Sequence, residues 1–79
     1  MKLLPPEWYE REVLIHRYLY YVLNEQLISD FEYDIIEYNA RSLCPPESPV
    51  HGVGSSLPSS YPTGTAAEAV SRLADAREL

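Results

Sequence analysis

Tyr20, Tyr21, Asp30, Tyr33 and Asp34 are the residues of this 79-residue chain whose types and spacing could do chemistry. Tyr20 and Tyr21 close one stretch of helical periodicity. Asp30, Tyr33 and Asp34 open the next at i, i+3, i+4, the spacing that puts three side chains on one helical face. Folded as a hairpin, the two stretches set two tyrosines against two carboxylates across a single turn. The negative faces of tyrosine rings attract a delocalised positive charge, and carboxylates add Coulomb attraction and acceptors for an amide or for ribose hydroxyls. A flat cationic ring is the ligand such a site would hold best. Packing is the competing reading. Tyrosines at helical spacing commonly line a core or its rim, Asp30 could serve only the positive end of a helix, and Asp34 could be a solvated surface residue.

Positioning these groups takes two helices and a short connection. Pro5 and Pro6 suit a first helical turn, where the missing N–H is not needed, and Glu7 and Glu10 favour its positive end. Trp8, Ile15, Leu19 and Val22 then form an apolar stripe, flanked by Leu14, Tyr18 and Tyr21. Residues 24–28 break the period, and Ser29-Asp30-Phe31-Glu32 has the form of a capping box that starts a second helix at Asp30. Phe31, Ile35, Ile36, Tyr38 and Ala40 give that helix one broad apolar face, and Pro45 and Pro46 prevent its continuation past about Leu43. Five prolines and three glycines between Cys44 and Gly64 predict an irregular segment. Thr65 can cap a last, short helix with Ala66, Ala69, Val70 and Leu73 on one side. The predicted fold is all-α: an antiparallel hairpin over about 6–24 and 30–43, an irregular Pro/Ser/Gly segment, and a C-terminal helix that depends on docking.

Composition narrows the function. A chain of this length supports one small domain with little stability to spare. Its formal net charge is −6, and Lys2, Arg11, Arg17, Arg41, Arg72 and Arg77 are dispersed. No basic cluster is available to track a nucleic-acid backbone, so direct nucleic-acid binding is not expected. Cys44 stands alone, which excludes an internal disulfide or a cysteine-rich metal site and fits a reducing compartment, with cytoplasm as the default. Residues 1–6 lack the apolar core of a signal peptide, and no run is long enough to span a membrane. His16 and His51 are too isolated for a metal site and read as solvated or capping residues.

Tyr20-Tyr21-Val22-Leu23-Asn24 followed by Ile28-Ser29-Asp30-Phe31-Glu32-Tyr33-Asp34 resembles domain Ia of bacterial NAD-dependent DNA ligases, whose signature reads approximately YYVxD…ISDxEYD. Ser48-Pro49-Val50-His51-Gly52-Val53-Gly54 is similar to the SPTxxVG segment after the second helix of that family. The likeness covers roughly residues 13–54. It divides the single domain 1–79 into a ligase-like hairpin over 1–54 and a divergent extension over 55–79 with a short helix. In those ligases domain Ia clamps the nicotinamide mononucleotide (NMN) half of NAD while a lysine of the adenylation domain attacks the adenylyl phosphorus. The resemblance implies that Tyr20, Tyr21, Asp30, Tyr33 and Asp34 are the matching NMN contacts. It also implies a role around DNA replication and repair.

The departures matter equally. The ligase nucleophile lies in a Lys-x-Asp-Gly motif, and here the only lysine is Lys2, followed by Leu3, Leu4 and Pro5. The chain therefore cannot adenylate itself by that route. Gly52 stands where the family has an arginine, and none of the other ligase domains is represented. The leading expectation is a binding module with weak affinity for the NMN moiety of NAD, working in trans with an adenylation domain. The alternative is a small prophage- or mobile-element-type interaction or regulatory protein that uses the hairpin as a protein-binding scaffold. A third reading makes the chain one part of a split ligase.

Overall fold

The structure, a computed structural model, describes residues 3–78. Met1, Lys2 and Leu79 fall outside it, so the expectation about the N-terminal stretch is addressed only from Leu3 onward. Pro5 is extended at the N-cap of α1, Pro6–Arg17, and Pro6 takes the first helical position. The helix does not continue as a regular α-helix to residue 24. Over Tyr18–Val22 it widens into a π turn, in which the Leu23 N–H donates to the Tyr18 carbonyl at 3.2 Å. Asn24, at φ 55°, then ends the helix in the left-handed region, which asparagine tolerates better than most residues.

The second helix, α2, spans Asp30–Leu43 as predicted. Both halves of the capping box form. The Glu32 N–H donates to Ser29 Oγ at 3.1 Å, and the Ser29 N–H donates to Glu32 Oε1 at 3.2 Å. Such a cap contributes about 1 kcal/mol. After Cys44 the chain is irregular apart from single 3₁₀ turns at Pro49–His51 and Pro58–Ser60. The third helix, α3, covers Thr65–Arg77, but its N-cap is Gly64 rather than Thr65. Gly64 sits at φ +94°, where a side chain would be strained, while Thr65 is buried inside the first turn.

A hairpin with one apolar stripe per helix predicts that α1 keeps a wet face. Instead every residue from 12 to 19 is buried, because α1 lies between α2 and α3. On the α2 side, Tyr9 and Val13 pack with Ala40, Cys44 and Val50, supported by Ile36 and Leu43. On the α3 side, Ile15, Tyr18 and Leu19 pack with Ala69, supported by Tyr61 and Leu73. The C-terminal extension thus closes one of the two core clusters, through Ala69, Tyr61 and Leu73.

Burying α1 from both sides also buries Glu12 and Arg17, and each has a partner. Arg72 of α3 donates two hydrogen bonds to the Glu12 carboxylate, at 2.7 and 2.5 Å. Glu37 of α2 accepts from Arg17 at 2.9 Å. Each flanking helix is keyed to α1 by one ion pair that has a buried member, in addition to its apolar contact, and α3 adds an exposed, longer one between Glu68 and Arg11 at 3.8 Å.

Further sequence expectations need correction. Of the apolar side read for the last helix, Ala69 and Leu73 face the core while Ala66 and Val70 are exposed. Trp8 is not on the buried stripe but 39 % exposed, and its neighbour Tyr9 takes the core position. The broad apolar face of α2 is split. Ile36 and Ala40 turn inward, while Phe31, Ile35 and Tyr38 are exposed, since three helices leave nothing to cover them. His16 is buried rather than solvated. Among the described residues no helix is long and apolar enough to cross a membrane.

Candidate ligand cleft

The π turn determines where the tyrosines go. In a regular α-helix adjacent side chains diverge by about 100° and do not face one another. A π turn has more residues per turn and so a smaller angular step, and Tyr20 and Tyr21 both reach the same cleft. Single π turns of this kind recur at functional sites. The two rings meet edge to face, with centroids 5.0 Å apart and planes at 81°. They are nevertheless 55 % and 45 % exposed, so their mutual contact leaves about half of each residue accessible.

The segment after α2 forms the opposite wall. Ser48 caps the 3₁₀ turn by accepting from the Val50 N–H at 3.3 Å, and donates to Glu10 Oε2 at 2.6 Å. Val50 is fully buried in the core and fixes the height of the chain. Gly54 then passes directly under Tyr21, where a Cβ would overlap the Tyr21 ring. A glycine is required there by close approach. Between these walls lies a cleft of about 350 Å³.

The floor is a polar network centred on Arg17. Its guanidinium donates to Tyr33 Oη at 3.0 Å, to Glu37 Oε2 at 2.9 Å, and to the carbonyls of Pro49 at 3.2 Å and Val50 at 2.9 Å. Tyr33 Oη in turn donates to Glu37 Oε2 at 3.0 Å. Burial, reinforced by the Glu37 carboxylate, pushes the Tyr33 hydroxyl up to about 12 against the pull of Arg17, so it stays a neutral donor at physiological pH. Burial would raise the Glu37 carboxyl, but the hydrogen bonds from Arg17 and Tyr33 outweigh it and hold the group below its ordinary value. Tyr33 therefore spends its hydroxyl on the floor and offers a ligand only the flank of its ring.

Of the five residues singled out from sequence, Tyr20, Tyr21, Asp30 and Tyr33 line this cleft. Asp30 is exposed at the start of α2, where its Oδ1 accepts from Gln26 Nε2 at 3.1 Å. Asp34 is exposed but does not line the cleft. It lies about 100° round the helix from Tyr33, whose hydroxyl is drawn toward α1 by Arg17. The stripe that does face the cleft is Asp30, Tyr33, Glu37 and Arg41, spaced three, four and four residues apart. That period was present in the sequence, and Gly54 closes the segment 48–54 that resembles the ligase pattern; Arg17 carried no local signal. His16 also lines the cleft, 3.8 Å from Glu12, whereas His51 sits 3.3 and 3.1 Å from the Cys44 and Pro45 carbonyls at the end of α2.

The arrangement can hold a flat ring against aromatic faces, with a carboxylate at one end of the cleft and a guanidinium, that of Arg41, at the other. Among the described residues no group of three His, Cys, Asp or Glu side chains is placed to hold a metal ion. Comparison with protein-family models, curated proteins and solved structures finds no match to this chain.

Proposed function

We propose that this protein binds the NMN half of NAD in the cleft between the π turn and Gly54, acting in trans with a ligase adenylation domain. The observation that carries this reading is that the Tyr20 and Tyr21 rings, both half exposed, open onto one cleft with the Asp30 carboxylate. Its volume of about 350 Å³ lies within the range of small-molecule sites. Tyr20 and Tyr21 would hold the pyridinium by cation–aromatic attraction, and Asp30 would balance its charge. Bounded by two short helices and one loop, the cleft encloses a ligand incompletely, so affinity alone is weak, with Kd on the order of 1 mM.

Titration of the isotope-labelled protein with NMN, and separately with NAD, tests the reading. The expected result is saturable shifts of the Tyr20, Tyr21 and Gly54 amide resonances, and a loss of about tenfold in affinity on Gly54→Ala, which displaces the Tyr21 ring. No shift at millimolar NMN would sink it.

A second reading, a protein-binding scaffold, draws on a different observation. Phe31, Ile35 and Tyr38 form an exposed apolar stripe at i, i+4, i+7 on the outer side of α2, at 63 %, 51 % and 72 % exposure. Sedimentation with a purified ligase adenylation domain checks it: a complex that Ile35→Glu weakens supports the scaffold, and the absence of any complex counts against it.

A further inference from the structure

The cleft contains two guanidinium groups with different fates. Arg17 is 3 % exposed, and its donors are taken by Tyr33, Glu37 and two backbone carbonyls. Arg41 is the other. Its side chain is 42 % exposed, its contacts with the His51 and Gly52 carbonyls are long, at 3.4 and 3.3 Å, and Glu37 Oε2 is 3.8 Å away. Those contacts steady the guanidinium beside Gly52 and leave donors free.

Position adds to this. Asp30 and Arg41 both line the cleft and are separated by eleven residues of one helix, an axial rise of about 16 Å. The carboxylate is at the hairpin end, the guanidinium is at the Gly52 end, and the aromatic rings share the cleft with both. Such a cleft has electrical polarity, and the matching ligand is a zwitterion with a cationic ring and an anionic group at opposite ends.

We infer that Arg41 is the anion-binding residue of this cleft and takes the phosphate of a pyridine mononucleotide. The inference rests on the ring-binding reading above and deepens it. Guanidinium is suited to the task because its planar N–H fork matches phosphate oxygens, and it stays charged at any physiological pH. It predicts that the phosphorylated ligand is preferred over its nucleoside, and that the preference depends on the guanidinium.

The test compares NMN with nicotinamide riboside, which keeps the cationic ring and ribose but lacks the phosphate. For the unaltered protein NMN is expected to bind about ten- to a hundredfold more tightly, the range of a charge-assisted hydrogen bond. Arg41→Gln is expected to bring NMN down to the riboside's affinity, with an amide spectrum that remains dispersed. Equal affinities in the unaltered protein would overturn the inference while leaving ring binding intact, and this arm needs no variant. Retained preference in Arg41→Gln would also overturn it. If neither molecule binds, the ring-binding reading fails and this inference fails with it.

Discussion

Arg17→Met is expected to lower the unfolding free energy by about 3–5 kcal/mol, the cost of breaking a buried ion pair by removing one partner. The guanidinium is 3 % exposed and joins α1 to Tyr33 and Glu37 of α2 and to the carbonyls of Pro49 and Val50. Its removal leaves a carboxylate and two carbonyls short of donors in a place with little water. A chain of 79 residues has a total stability of about 4–12 kcal/mol, so the loss is a large fraction of the total. Lysine is not an adequate substitute, because one ammonium cannot span acceptors on both sides of a planar fork. Urea denaturation of the two proteins measures the difference. A loss below about 1 kcal/mol would place Arg17 among surface ion pairs and contradict the floor described above.

Acidification is expected to have the next largest effect, through Glu12. Burial alone would raise this carboxyl, but Arg72 and the nearby His16 override it and bring the group from its ordinary 4.5 down to about 2. Because the folded value is the lower one, the stabilisation is fully present above pH 4.5. It is lost as pH falls from there toward 2, and the interval corresponds to about 3 kcal/mol. Glu37, also held below its ordinary value, acts in the same direction. Urea midpoints between pH 2 and 7 should fall steeply below 4.5 in the unaltered protein. Glu12→Gln should be weaker at neutral pH and much flatter with acid. Parallel pH profiles for the two proteins would show that the Glu12–Arg72 pair does not hold α3 in place.

What could be read from the sequence was what is decided locally. The start of α2 was legible because Ser29 and Glu32 satisfy each other's backbone within one turn. The prolines at 5, 6, 45 and 46 act on their own residues and bounded both helices of the hairpin. The two-sided burial of α1 was not legible, because the partner of Glu12 lies 60 residues away and that of Arg17 lies 20 away. Nor could the apolar residues of α2 declare a direction. They occupy more of the circumference than one neighbour can cover, and only the packed fold selects Ile36 and Ala40 over Phe31, Ile35 and Tyr38. Of the cleft, the tyrosine pair, Asp30 and Tyr33 were found by spacing. Asp34 was included because i+4 and i+3 look equivalent on an isolated helix, and the pull of Arg17 on Tyr33 shows which side faces α1. The π turn had no sequence signal, since five bulky residues in a row suit an α-helix equally well.

The opposed charges on α1 have a bearing on assembly order. Of its buried charges, that helix offers an anion, Glu12, to α3 and a cation, Arg17, to α2. If the two flanking helices exchanged sides during folding, Arg72 would confront Arg17 and Glu37 would confront Glu12, each a like-charge encounter out of water. The aliphatic and tyrosine side chains of the core carry no charge to tell the two flanks apart, but the paired ions do. The same two bridges that hold the finished molecule therefore also reject its mirror-like misassembly.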